Sequence, residues 1–266
     1  MSWWRWFVAW LRARFIRFAR RQLIGEHAVV DHAKRARLRT EPLTDAHRLL
    51  LDTWFPPFGR LSKAQRAKFV ADLQVLLGEK PVEADGVELD DRIRLIVAAS
   101  AALMVAGLDV AVFDHVTRIV VRKEPFAEHG PNVTGRYRHT EYPIAGRHGE
   151  VELIWSAVIA AAERAEGEHV VVHEFAHAFD HGLELLQKHA DRPAWEAALT
   201  KLPLVTLYMR THTITHIAGS VEGPELFATS SEMFFEVPRR LATVAPSLFD
   251  ELRAIYNIDP RTFTTK

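Results

Sequence analysis

The sequence predicts an α+β fold, mainly helical, with a small sheet beside a histidine-bearing helix. Three observations predict it. Apolar residues recur at helical spacing up to about residue 107 and again after residue 169. Two β-branched, alternating stretches, 115–121 and 150–158, stand between those helical regions. The stretch HVVVHEFAHAFDHG, residues 169–182, follows the strands directly and returns to helical periodicity.

The first 22 residues carry Arg5, Arg12, Arg14, Arg17, Arg20 and Arg21 and no acid. At helical spacing Trp4, Phe7, Val8, Leu11, Phe15 and Phe18 fall on one face. That is the pattern of a basic amphipathic helix lying on a membrane surface. The arginines interrupt every apolar run short of the ~20 residues that span a bilayer. The longest uncharged run is also too short for the core of a secretory signal. A helix docked by its apolar face onto the main domain is the competing reading. Residues 24–40 are polar and read as a connection, which divides the chain into a 1–40 segment and a 41–266 domain.

Within that domain EPLTDAHRLLLDTW predicts a short helix, broken at Pro56, Pro57 and Gly59. A longer helix follows with Ser62 as its N-cap. DDRIRLIVAASAALMVAG, opened by Asp90 and Asp91 and closed at Gly107, has an almost wholly apolar interior and predicts a buried core helix. HVTRIVV (115–121) and EVELIWSAV (150–158) predict strands, the second placed to offer an edge to an extended peptide. The histidine helix is expected to close at Gly182. RPAWEAALTKL (192–202) predicts another short helix. GPELFATSSEMFFEVP predicts a last one, with Pro224 in its first turn and a stop before Pro238.

The composition narrows the chemistry. The 266 residues carry no net charge, which argues against a nucleic-acid partner held by bulk charge. Aliphatic and aromatic residues at 48% and charged residues at 26% are an ordinary globular balance. There is no cysteine, so any metal must sit on imidazoles and carboxylates. A cysteine-free chain fits a reducing, cytoplasmic compartment, with membrane association through residues 1–22 as the added reading.

The chemistry is written in H-E-x-x-H: His173, Glu174 and His177. Residues four apart share a helix face, so both imidazoles can reach one point. Zinc in a hydrolase needs a third protein ligand and keeps a fourth position for water. Glu174, next to the first ligand, is placed to take a proton from that water. Phe175, Ala176, Ala178 and Phe179 supply packing surface, as a buried active-site helix requires. The extended motif with a third histidine is absent, because Asp180 and Leu183 occupy its last two defining positions. Asp180 and His181 remain candidates for steering a ligand's other nitrogen. The third ligand is expected from the later helix, where Glu225 and Glu232 share a face and Glu236 lies one turn on. Spacing does not choose between Glu225 and Glu232.

VVVHEFAHAFD, PELFATSSEMFFEVP some fifty residues on, and the upstream DRIRLIVAASAALMVAGL and RIVV together resemble the Mlc titration factor A family of zinc-dependent peptidases. The resemblance covers roughly residues 45–260. It implies a zincin-like metallopeptidase fold similar to the catalytic domain of lethal factor, and one Zn2+ per chain. By the same resemblance His173, His177 and Glu225 are the zinc ligands, Glu174 the general base and Glu232 a support behind the ligands. Family members act as peptidases or aminopeptidases, and the founding member also binds a transcriptional repressor of sugar uptake. The family carries a tyrosine seven residues before the ligand glutamate, suited to stabilising an oxyanion. Here Ala218 stands there, or Ile217 if the alignment shifts by one, and neither donates a hydrogen bond; His216 and Tyr208 are the nearby polar substitutes.

The expected function is therefore hydrolysis of peptides or proteins by a zinc-activated water with Glu174 as base. The alternative is a zinc-binding regulator that holds a protein partner, such as a transcriptional regulator, with little turnover. A membrane-surface adaptor led by residues 1–22 is a third reading. The triplet NVT at 132–134 fits the glycosylation pattern but lacks a signal sequence to accompany it.

Overall fold

A computed structural model describes residues 30–124, 126, 133–142, 146–163, 167–186 and 223–263. The basic segment 1–22, the helix expected over 192–202, and Tyr208, His216, Ile217 and Ala218 lie outside the described residues. Elements are numbered among the described ones.

Helix α1 (His32–Leu38) lies within the segment read as a connection. Its Arg35 is buried and pairs with Glu79 and Asp114, with guanidinium-to-carboxylate distances of 2.5 and 2.6 Å. α2 (Asp45–Trp54) is capped by Thr44, and Pro57–Arg60 forms a single helical turn, α3, after the break. α4 (Lys63–Glu79) opens with Ser62, and Gln65 returns the bond to the Ser62 backbone. This reciprocal capping satisfies two N–H groups that the helix start leaves open. α5 (Asp91–Met104), capped by Asp90, is buried over Leu95–Met104 and forms the middle of the core, as its apolar sequence predicts.

The sheet holds β1 (Val82–Asp85), β2 (Val116–Arg122), β3 (Gly135–Tyr142) and β4 (Gly146–Ile154) in the order β1-β2-β4-β3. β1, β2 and β4 run parallel, and β3 pairs antiparallel with β4. The fold is mostly helical with a small mixed sheet, an α+β arrangement. The strand expected at the edge is interior, however: β4 lies between β2 and β3, and β3 is the outer strand on that side.

The strand predicted to reach residue 158 stops at Ile154, and α6 (Trp155–Glu163) begins at once. Val158 and Ala161, three apart, are buried, so helical spacing prevails over the β-branched composition. β3 escapes prediction because Arg136 and Arg138 hide its alternation. Their charges are met across the sheet by Glu152, which is fully buried, and Arg138 also reaches Glu150.

α7 (Val170–Leu186) carries the histidines and continues past Gly182. That glycine allows close packing: a Cβ there would lie 2.0 Å from the carbonyl oxygen of Val112. α8 (Gly223–Glu236) packs on α7, and α9 (Pro238–Val244) and α10 (Pro246–Tyr256) complete the body. Aromatic rings join these helices. Phe179 and Phe227 flank Tyr256 at 4.7 and 6.1 Å between centroids, and Phe113 meets Phe175 edge-on at 5.1 Å. The Tyr256 hydroxyl is matched by Ser231 at 2.7 Å, so the ring is buried without an orphaned oxygen.

Candidate metal centre

α7 is anchored at its start by His169. The His169 carbonyl accepts the N–H of His173 at 2.9 Å, and its Nδ1 accepts the N–H of Val172 at 3.4 Å. Nε2 of His169 lies 3.5 Å from the Ser100 hydroxyl of α5. From this fixed start, Phe175, Ala176, Ala178 and Phe179 turn into the core, and His173 and His177 emerge together on another face. Their rings sit 5.0 Å apart.

α8 brings two carboxylates to those rings from opposite sides. Glu225, in its first turn, places Oε2 3.3 Å from His173 Nε2 and Oε1 3.3 Å from His177 Nε2. Glu232, two turns later, accepts from His173 Nδ1 at 2.7 Å. A carboxylate can only accept, so this bond fixes a proton of His173 on Nδ1 and turns its Nε2 towards Glu225 and His177. Glu232 also accepts the backbone N–H of His169, which ties it to the start of α7.

Three ligand atoms thus converge: one each from His173, His177 and Glu225, all within 4.8 Å of one another. The two Nε2 atoms lie 3.3 Å apart. Lone pairs and a carboxylate facing one another repel unless a cation or a proton sits between them. The electrostatics agree. Burial alone would lower His173, but the charge of Glu232 and the hydrogen bonds to Glu225 and Glu232 outweigh it and hold the imidazole well above its ordinary pKa. Hydrogen bonds from His173 and His177 pull Glu225 well below the usual carboxylate range. Both shifts arise in part from the same contact of the imidazoles with Glu225. Two imidazoles and one carboxylate are a donor set that zinc accepts, and a position remains for water.

Glu174 stands beside this cluster, 5% exposed, and burial raises its pKa. β3 crosses directly over it at Gly135. A Cβ on Gly135 would lie 2.6 Å from Glu174 Cγ and Oε1 and 2.7 Å from Val170 Cγ2, so only glycine lets the strand come this close. With β3 itself unpredicted, no sequence signal pointed to Gly135, and none pointed to His169 or Ser100.

Glu232 gives His173 the outer support that the resemblance implies for it. His181 pairs its Nδ1 with the Tyr137 hydroxyl at 2.7 Å, and that hydroxyl lies 3.0 Å from His115 Nε2. Burial raises the pKa of Tyr137, so it stays a neutral phenol. Glu236 lies at the end of α8, beyond Glu232.

A sequence model of the family described as glucose-regulated metallo-peptidase M90 matches residues 30–257. An uncharacterized protein of Synechocystis is 27% identical over 236 residues, covering 82% of this chain and 86% of the relative.

Proposed function

The chain belongs to the glucose-regulated metallo-peptidase M90 family, which bears out the resemblance read from its histidine and glutamate blocks, and from that premise we propose a zinc-dependent peptidase of zincin-like fold. In this reading His173, His177 and Glu225 hold one zinc per chain, and Glu174 is the general base. The observation that carries it is the convergence of three ligand atoms beside a buried carboxylate.

When bound, zinc supplies Lewis acidity, polarising a carbonyl and making water acidic near neutral pH. Glu232 keeps the Nδ1 proton of His173, so that ring cannot rotate or change tautomer during turnover. Glu174 accepts the proton of the attacking water and returns it to the leaving amine. Burial favours this, because it raises the carboxylate's basicity towards the working range of a base. β3 passes beside Glu174 at Gly135, and among the described residues no strand pairs with its outer edge. An extended peptide can add there through main-chain hydrogen bonds. Aminopeptidase action and a cytoplasmic location accompany this reading.

One sequence feature favours a second reading. Ala218 stands where the resemblance expects the oxyanion-stabilising tyrosine, which suits a zinc-binding protein that holds a partner, such as a transcriptional regulator, with little turnover. Digestion of a peptide library by the zinc-loaded and metal-stripped protein separates the two. Zinc-dependent cleavage supports the peptidase; one tightly held zinc per chain without cleavage supports the binder. In both readings His173→Ala and His177→Ala should lose stoichiometric zinc on dialysis, since two protein ligands hold catalytic zinc poorly. Zinc retained by both variants would remove the site assignment.

A further inference from the structure

A second concavity lies on the other side of α7, between α4, α5 and the β1–β2 side of the sheet. It offers about 230 Å3 and is partly open to solvent. Leu76 from α4, Val97 and Ala98 from α5 and Ile119 from β2 give it apolar walls, and Phe175 of α7 also lines it. Two cations interrupt this lining, Lys80 and Arg94. Arg94 is half exposed and pairs with Asp91 at 3.3 Å.

Lys80 is the informative group. Two of its three N–H donors go to the carbonyl oxygens of Val116 (2.7 Å) and Asp114 (3.3 Å). The third has no protein acceptor among the described residues. Glu79 and Asp114, the carboxylates whose charge it feels, are both bonded to Arg35. Burial lowers Lys80 to about 8 even though both carboxylates raise it. With Arg35 the ammonium balances these two carboxylates, and its remaining donor stands at the rim of a space otherwise lined with hydrocarbon.

We propose that this cavity binds a small amphipathic carboxylate, its tail against Leu76, Val97, Ala98, Ile119 and Phe175 and its carboxylate on Lys80 and Arg94. The carboxylate would accept the remaining Lys80 donor as a charge-assisted hydrogen bond. Size restricts the ligand. A dry cavity of roughly 150 Å3 holds benzene, so this one suits a chain of roughly 8–12 non-hydrogen atoms. The inference is independent of the zinc site, because none of its residues is a ligand or the base.

Octanoate is the probe and 1-octanol its uncharged counterpart, each titrated calorimetrically into the full chain. Octanoate should bind saturably at one site per chain with a Kd at or below about 1 mM. Octanol should bind at least ~10-fold more weakly, the usual worth of a hydrogen bond to a charged group. Lys80→Met should bring octanoate down to the level of octanol. Ala98→Leu fills the cavity from α5 without touching Lys80, and should abolish binding of both. Should Lys80→Met not fold, the octanoate–octanol difference and Ala98→Leu decide the matter. No saturation by ~10 mM octanoate, ten times that expected ceiling on Kd, equal binding of both probes, or undiminished octanoate binding in Ala98→Leu would each overturn the proposal.

Discussion

His173 has both ring nitrogens committed: Nδ1 to Glu232, Nε2 to the point it shares with His177 and Glu225. A residue so constrained leaves little freedom to its neighbour Glu174, whose other boundary is the backbone of Gly135. Gly135→Ala tests that boundary. The added methyl would overlap the Glu174 side chain at 2.6 Å, and the carboxylate or the strand must move. A displacement of ~1 Å near reacting atoms costs on the order of 10²-fold in rate. Peptide hydrolysis should fall by about that factor while the zinc content stays at that of the wild type, since no ligand is touched. Loss of zinc in Gly135→Ala would mean that the strand braces the ligands rather than the base.

Between elements, the decisive contact is α8 on α7, which puts one carboxylate of α8 on each nitrogen of His173. Removing a ligand should weaken zinc more than removing its support, and loss of a supporting partner typically costs ~10–100-fold in metal affinity. Competition with a chelator should therefore show a larger loss for Glu225→Ala than for Glu232→Ala. The reverse order would make Glu232 the ligand. The elements differ in how far the sequence reveals them. α4, α5 and α8 announce themselves through caps at Ser62 and Asp90, a proline at 224 and long apolar periods, which are local signals. β1 and β3 do not, since one has four residues and the other depends on glutamates of its neighbour to neutralise its arginines. The two histidines were legible from a four-residue spacing. Spacing did not separate Glu225 from Glu232, which lie seven apart on one face; the resemblance named Glu225, and the docking of α8 puts the two on different nitrogens of His173. Gly182 misleads for a related reason: it reads as a helix end, whereas its function is to let Val112 approach.

At the scale of the whole molecule, the family match begins at residue 30, close to where Arg35 ties α1 to α4 and to Asp114. The basic, Trp-rich stretch lies upstream of this body in sequence. No helix among the described residues is long and apolar enough to cross a membrane. Deleting residues 1–22 should leave zinc content and thermal stability unchanged and weaken binding to anionic vesicles at low salt, because each basic residue near such a surface contributes about 1 kcal/mol. Equal vesicle binding by both proteins would dismiss the membrane reading, and loss of thermal stability on deletion would favour a helix docked on the domain.

The central claim is that Glu174 acts on water at a zinc held by His173, His177 and Glu225. It is tested most directly by the rate of peptide hydrolysis of Glu174→Gln, with zinc counted on the same sample. Glutamine fills the same space and cannot take the proton, and general-base catalysis is worth ~10²–10⁴-fold. The account predicts one zinc per chain, as in the wild type, and a rate lower by about that factor. Hydrolysis at the wild-type rate by a fully zinc-loaded Glu174→Gln would contradict it.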